Sequence, residues 1–304
     1  MQPTLTQRLL LMAVLVAALW LPAQPVSGGN PGPVLTQHND TGRTGAYLAE
    51  TSLTTANVNT AQFGKLFVRD VDGQIYAQPL YVPGVALPSG SRNVVYVATM
   101  HNSIYAFDAE DPDASQPLWQ VSLGLSAPIT YTLPNTTTVG RDLGPPGFHD
   151  ISSEIGVLST PVIDPNTNTL YAVALTRAAD PATCPCQYAY QLHALDLASG
   201  AEKFGGPVVI SGTVPGSAEE GEDGQVSFLT RQQNQRTALL LQDGVIYMGF
   251  ASYGDYTPIT AGFLVMTRPH WHRFQPGTRP PIAAWAASGN RAKVWQRTPT
   301  ETST

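Results

Sequence analysis

From Arg92 to Asp108 the chain reads "RNVVYVATMHNSIYAFD", two runs of β-branched and aromatic residues around a polar "HNS". Side chains in such runs point alternately to the two faces of a sheet. The pattern therefore predicts two strands joined by a tight turn. The unit returns as "TNTLYAVALTR", an insertion, and "YQLHALDLASG" (Thr167 to Gly200), and starts again as "DGVIYMGFASYGD" (Asp243 to Asp255). Tyr96, Tyr171 and Tyr247 hold matching places, roughly 75 residues apart. An earlier "DGQIYAQPLYV" (Asp72 to Val82) predicts a related strand around Tyr76. No comparable stretch carries a helical period outside the N-terminus.

A strand–turn–strand unit cannot bury both of its faces alone, so copies must stack. Radial stacking of small antiparallel sheets is a β-propeller. A sandwich or a solenoid is the alternative, and the long, uneven spacing disfavours a solenoid. The expectation is all-β: the first three to four blades of a propeller, over residues 29–258. Composition agrees, with 27 Gly and 26 Pro to serve many turns and only 12% charged residues.

Residues 1–28 read as a secretory signal. Arg8 precedes the apolar "LLLMAVLVAALWL" (Leu9 to Leu21), which is short for a membrane span, and small residues follow. The expectation is a secreted or periplasmic protein with no membrane span once mature. The net charge of −6 argues against a nucleic-acid partner. The two cysteines, Cys184 and Cys186, flank one proline. A local disulfide is compatible with export, whereas a metal site would need more ligands than the nearby His193.

Several segments together resemble exported bacterial proteins of the pyrroloquinoline quinone (PQQ)-binding-like β-propeller superfamily. They are "QPLYVPGV", "NVVYVATMHNSIYAFDAEDP", "LWQVSLG", "DISSEIGVLSTPVID" and "HALDLASGAEKFGGPVVISG". "QHNDTGRTG" (Gln37 to Gly45) is similar to the opening of such propellers, with Val34 where Trp is common. The resemblance covers roughly residues 33–258. It implies a propeller that binds at its axis, either as a quinone-dependent dehydrogenase using PQQ and Ca²⁺ or as a non-catalytic scaffold for a small molecule or a protein. The dehydrogenases of that superfamily hold the quinone with a stacking Trp, a cation, and a Ca²⁺ bound by Glu and Asn beside an Asp base. That set does not map onto this chain. Their adjacent Cys–Cys is absent, and no Trp lies between Trp20 and Trp119.

Propeller ligands meet the ends of inner strands and the loops between blades. That placement nominates His101 and Asn102 in a turn, Asp150 and Glu154 near a His, and Arg236 before "TALLLQ". It also nominates Ser252 and Asp255 after the third repeat's strand. Asp150 and Glu154 suit a base or a Ca²⁺ ligand, with Glu154 as the metal candidate. The competing reading is local: a hairpin turn at His101, and strand-capping loops elsewhere.

After Pro258 the composition breaks. Residues 259–304 carry six of the sixteen Lys and Arg, three of the five Trp, and one acid, Glu301. The repeat calls for a strand ending in Asp, as in "YAFD" and "HALD". In the codon frame joining the last base of each codon to the first two of the next, the Met266–Thr267 pair must encode Asp. His270–Trp271 must encode Leu, and Trp271–His272 must encode Ala. The tail is expected to be out of frame, irregular and outside the shared core, leaving an inactive partial propeller. The alternative is a native basic tail.

Overall fold

A computed structural model describes residues 32–48, 50–132, 139–141, 143, 150–151, 153–178, 187–215, 222–253, 261–267 and 283–287. The signal expected at 1–28 lies outside them, and no described helix is long and apolar enough to cross a membrane. The chain divides into two compact units, Met1–Pro31 with Ala49–Gly64, and Gly32–Leu48 with Lys65–Thr304. In the smaller unit, Glu50 and Asn57 cap a turn. Glu50 Oε1 accepts from the N–H groups of Ser52 and Leu53, and Asn57 Oδ1 accepts from Thr54 N–H.

The larger unit is all-β among its described residues. In chain order its strands are β1 (Leu80–Leu87), β2 (Gly90–Ala98), β3 (Ser103–Asp108) and β4 (Trp119–Ser122). Then follow β5 (Ala127–Pro128), β6 (Thr130–Thr132), β7 (Val139–Arg141), β8 (Glu154–Ile155), β9 (Val162–Asp164), β10 (Thr169–Arg177), β11 (Tyr188–Asp196) and β12 (Val208–Ile210). The last are β13 (Thr213–Pro215), β14 (Gln225–Ser227), β15 (Gln233–Asn234), β16 (Leu240–Gln242), β17 (Val245–Ser252), β18 (Ala261–Thr267) and β19 (Ala283–Ala287).

Three sheets repeat one plan, an antiparallel meander. β1-β2-β3-β4 form the first and β9-β10-β11-β12 the second. In the third, β15 and β16 both pair with β17, which continues to β18 and β19. The register is the same in each. Tyr96 faces Ala106, Tyr171 faces Ala194 and Tyr247 faces Val265, each tyrosine on the second strand. Among the described residues, closure of the sheets into a ring is not seen. Tyr76 differs from expectation: it is exposed and irregular, and β1 begins only at Leu80. The tail differs too. "AGFLVMT" and "AAWAA" are apolar runs free of charge and proline, and they form β18 and β19 rather than irregular chain. Trp285 is on β19; Trp271 and Trp295 lie outside the described residues.

Successive sheets pack face to face. Along β10, Leu170, Ala172 and Ala174 join Val94, Tyr96 and Ile104 of the first sheet, while Tyr171, Val173 and Leu175 join Ile246, Met248 and Phe250 of the third. A strand covered on both sides is largely apolar, and β10 is buried at every position but its last, with an apolar run from Leu170 to Leu175. Each such Leu or Ile contributes about 1.5–3 kcal/mol on burial. Polar bonds stitch the first two sheets as well: Tyr96 Oη and Trp119 Nε1 both donate to Leu197 O, at 2.9 and 3.0 Å.

The segment from Val34 to Gly45 crosses the first strands of all three sheets. Val34 bridges Tyr81 on β1, and Leu35 O accepts from Ile163 N on β9. Arg43 Nη2 donates to Leu239 O, just before β16, at 2.9 Å, and Nη1 holds Thr36 Oγ1 and Gln37 O. Thr160 joins the same strands, its hydroxyl accepting from Gln78 N and its carbonyl from Leu239 N. The first strands of the three sheets thus converge.

Candidate functional site

A meander has two ends. At one, the first strand turns into the second and the third leaves for the fourth. At the other lie the second–third turns and the crossovers between sheets. The first, or turn, end is capped by one repeated aspartate. Asp108 Oδ1 accepts from the N–H groups of Glu110 and Asp111. Asp164 takes Asn166 N–H and the Thr167 hydroxyl, and Asp196 takes Ala198 N–H and the Ser199 hydroxyl. A shallow depression there is lined by Ser91, Arg92, Asn93, Asp108, Glu110 and Asp111. Its charges are already engaged, with Arg92 Nε 3.3 Å from Asp108 and Asn93 Nδ2 donating to Glu110.

The crossover end brings together three of the predicted residues, His101, Asn102 and Glu154. His101 sits in the β2–β3 turn, and its Nδ1 lies 3.1 Å from both oxygens of Glu154, which is 53 residues away on β8. Ser126 Oγ donates a short hydrogen bond to Glu154 Oε2, and Arg177 Nε holds Ser126 O at 3.1 Å. The order is therefore serine to carboxylate to imidazole. The serine does not touch the imidazole, so this is no nucleophile–base pair. The His101 side chain is 56% exposed, while Glu154 is 24% exposed. Gly73 makes the approach possible, since a Cβ there would stand 3.0 Å from both His101 Cβ and N.

Asn102 is wholly buried and left-handed, at φ 60°. Its Nδ2 donates to Leu175 O on the second sheet at 2.9 Å, and its carbonyl accepts from Leu123 N. Gly156 presses against this turn, and a Cβ there would be 2.2 Å from Met100 O and 2.5 Å from Asn102 Oδ1. Asn102 is thus a joint between sheets through its Nδ2, while its buried Oδ1 has no hydrogen-bond partner. Behind the turn, Asp72 accepts from Thr99 Oγ1 at 2.8 Å and Ser103 Oγ at 2.5 Å.

The other candidates do not join His101. Asp150 and Arg236 are exposed, and Ser252 is buried opposite Gln233. Asp255, Cys184 and Cys186 lie outside the described residues. The His193 side chain, near the cysteines in sequence, is 5% exposed with Nδ1 2.9 Å from Glu202. Between the second and third sheets, Tyr190 Oη lies 3.0 Å from Tyr253 Oη and donates to Gln233 O at 2.8 Å. Burial pushes Tyr190 up to about 12, partly offset by the bond from Tyr253, and burial raises Tyr253 well above the ordinary tyrosine range. Sequence reasoning missed Ser126, Asp72 and this tyrosine pair.

A PQQ–Ca²⁺ site needs several oxygen donors converging on the metal. Among the described residues no three His, Cys, Asp or Glu side chains converge to hold a metal ion, and Glu154 is committed to His101 and Ser126. No specific set among the described residues supports the group.

No known family's sequence pattern matches the chain, and no curated protein sequence matches it. Among solved structures it is similar to the quinohemoprotein alcohol dehydrogenase ADHIIG from Pseudomonas putida HK5. The identity is 10% and the TM-score 0.29, over 73% of this chain and 40% of that one. The chain thus spans well under half of that protein's length.

Proposed function

We propose that the chain is part of an exported, propeller-type binding protein that engages a small molecule or a protein at its crossover end through His101. The observation that carries this reading is the oriented imidazole. With Nδ1 held by Glu154, and Glu154 held by Ser126, the ring has a fixed tautomer and offers Nε2 as an acceptor from an exposed turn. The sequence resemblance supports export and the propeller plan. Quinone-dependent oxidation is the second reading, favoured by that resemblance alone.

The test has two arms. The protein is mixed with PQQ and Ca²⁺ and followed by quinone absorbance and dye reduction; neither should change, and stoichiometric dye reduction would restore the dehydrogenase reading. A small-molecule screen is then read by NMR on ¹⁵N-histidine protein. Ligands should shift His101 and lose affinity in His101→Ala. Ligands that cluster instead at the turn end would overturn the assignment.

A further inference from the structure

We infer that the protein's reading frame changes between Gly254 and Met266, and that position 267 belongs to the repeated turn-capping aspartate. Three independent observations meet there. The first is register. Asp108 pairs with Val94, two residues before Tyr96, and Asp196 pairs with Thr169, two residues before Tyr171. In the third sheet the residue two before Tyr247 is Val245, and its partner is Thr267. Thr267 occupies the aspartate's place in the meander.

The second is the genetic code. Met has one codon, ending in G, and every Thr codon begins with AC. The shifted codon is therefore GAC, which is aspartate whatever third bases the gene uses. One base restored upstream of Met266 makes that codon the 267th, the position the register selects.

The third is the turn chemistry. In the three capped turns the aspartate accepts from the backbone N–H two residues on: Glu110, Asn166 and Ala198. Two of them also take a hydroxyl three residues on, from Thr167 or Ser199. Two residues after Thr267 stands Pro269, which has no N–H to give. His270 follows where those turns place a hydroxyl. In the shifted frame both positions are drawn from Ser, Pro, Thr and Ala, because their codons end in CC and CA. The present tail thus has no aspartate at 267 and no N–H at 269; the shifted frame supplies the aspartate outright and admits an N–H at 269 through Ser, Thr or Ala.

The inference is tested by comparing four forms of the full chain: as it stands, Thr267→Asp, Thr267→Asp with Pro269→Thr, and the chain expressed after insertion of one base between codons 254 and 266. Soluble yield and thermal midpoint are read for each. Thr267→Asp alone should leave the midpoint within about 1 °C, because Pro269 cannot give the N–H that all three capped turns use. The double variant should raise it by about 2–4 °C, the scale of one added cap in a chain of this size. The frame-restored chain should be the most soluble and the most stable. A double variant no more stable than the single one would overturn the inference, as would a frame-restored chain that loses soluble yield.

Discussion

The two ends of the sheets are built by opposite means. At the turn end, each aspartate caps its own turn, reaching only two or three residues along the chain. At the crossover end, the bonds that matter join residues 28, 53 and 73 positions apart: Ser126 to Glu154, His101 to Glu154, and Asn102 to Leu175. The first end is a local property repeated. The second exists only when neighbouring sheets have docked, so it carries both the cost of assembly and the exposed imidazole.

The sharpest way to break the contrast is Gly156→Ala. Its new methyl would drive into Met100 O and Asn102 Oδ1, and the backbone there cannot yield without separating two sheets. A loss of about 3 kcal/mol or more is expected in urea unfolding. A loss under about 1 kcal/mol would mean the crossover end is softer than its geometry.

Next comes Tyr190→Phe, which removes the bond to Gln233 O and the acceptor for Gln235 N, at about 1–2 kcal/mol. The wild type should also show an alkaline limb. Tyr190's folded value lies above the ordinary 10.0, so its contribution is complete below pH 10 and is lost as the pH climbs from 10 towards about 12. Chemical denaturation at stepped pH should show the loss in wild type and a smaller one in Tyr190→Phe.

Asp196→Ala tests the turn end. It should cost about 1 kcal/mol and speed amide exchange at Ala198 while leaving Asn102 protected. Loss of protection at both ends would show that the caps are not local. The smallest expected effect is Glu154→Gln. A partly exposed pair contributes under about 1 kcal/mol, so stability should barely move. Two-bond ¹H–¹⁵N correlation should place the His101 proton on Nδ1 in wild type and find a tautomer mixture in the variant.

The same contrast explains what was legible in the sequence. The second strands with Tyr96, Tyr171 and Tyr247, the all-β class and the capped turns follow from period-two runs and short-range Asp signals, and each was readable. The motif around Tyr76 matches that around Tyr247, yet only the latter is a strand. A strand needs a partner, and the local motif does not state whether one exists. His101 and Glu154 were each nominated, but nothing local says that they meet. Ser126 is a lone serine in a loop, and only its distance to Glu154 marks it out. That Asn102 joins two sheets was not legible, because a polar turn looks the same whether water or another sheet lies beyond it.

The crossing of all three first strands by Val34 to Gly45 sets an order of events. Arg43 is made early, but its acceptor on Leu239 lies 196 residues further on. Closing so long a loop is entropically slow, and its partners reward it only after the third sheet has formed. Val34 and Leu35 can dock as soon as β1 and β9 are made, whereas Arg43 must wait for the third sheet. The segment therefore settles in stages, and its last bond joins the earliest-made sheets to the latest.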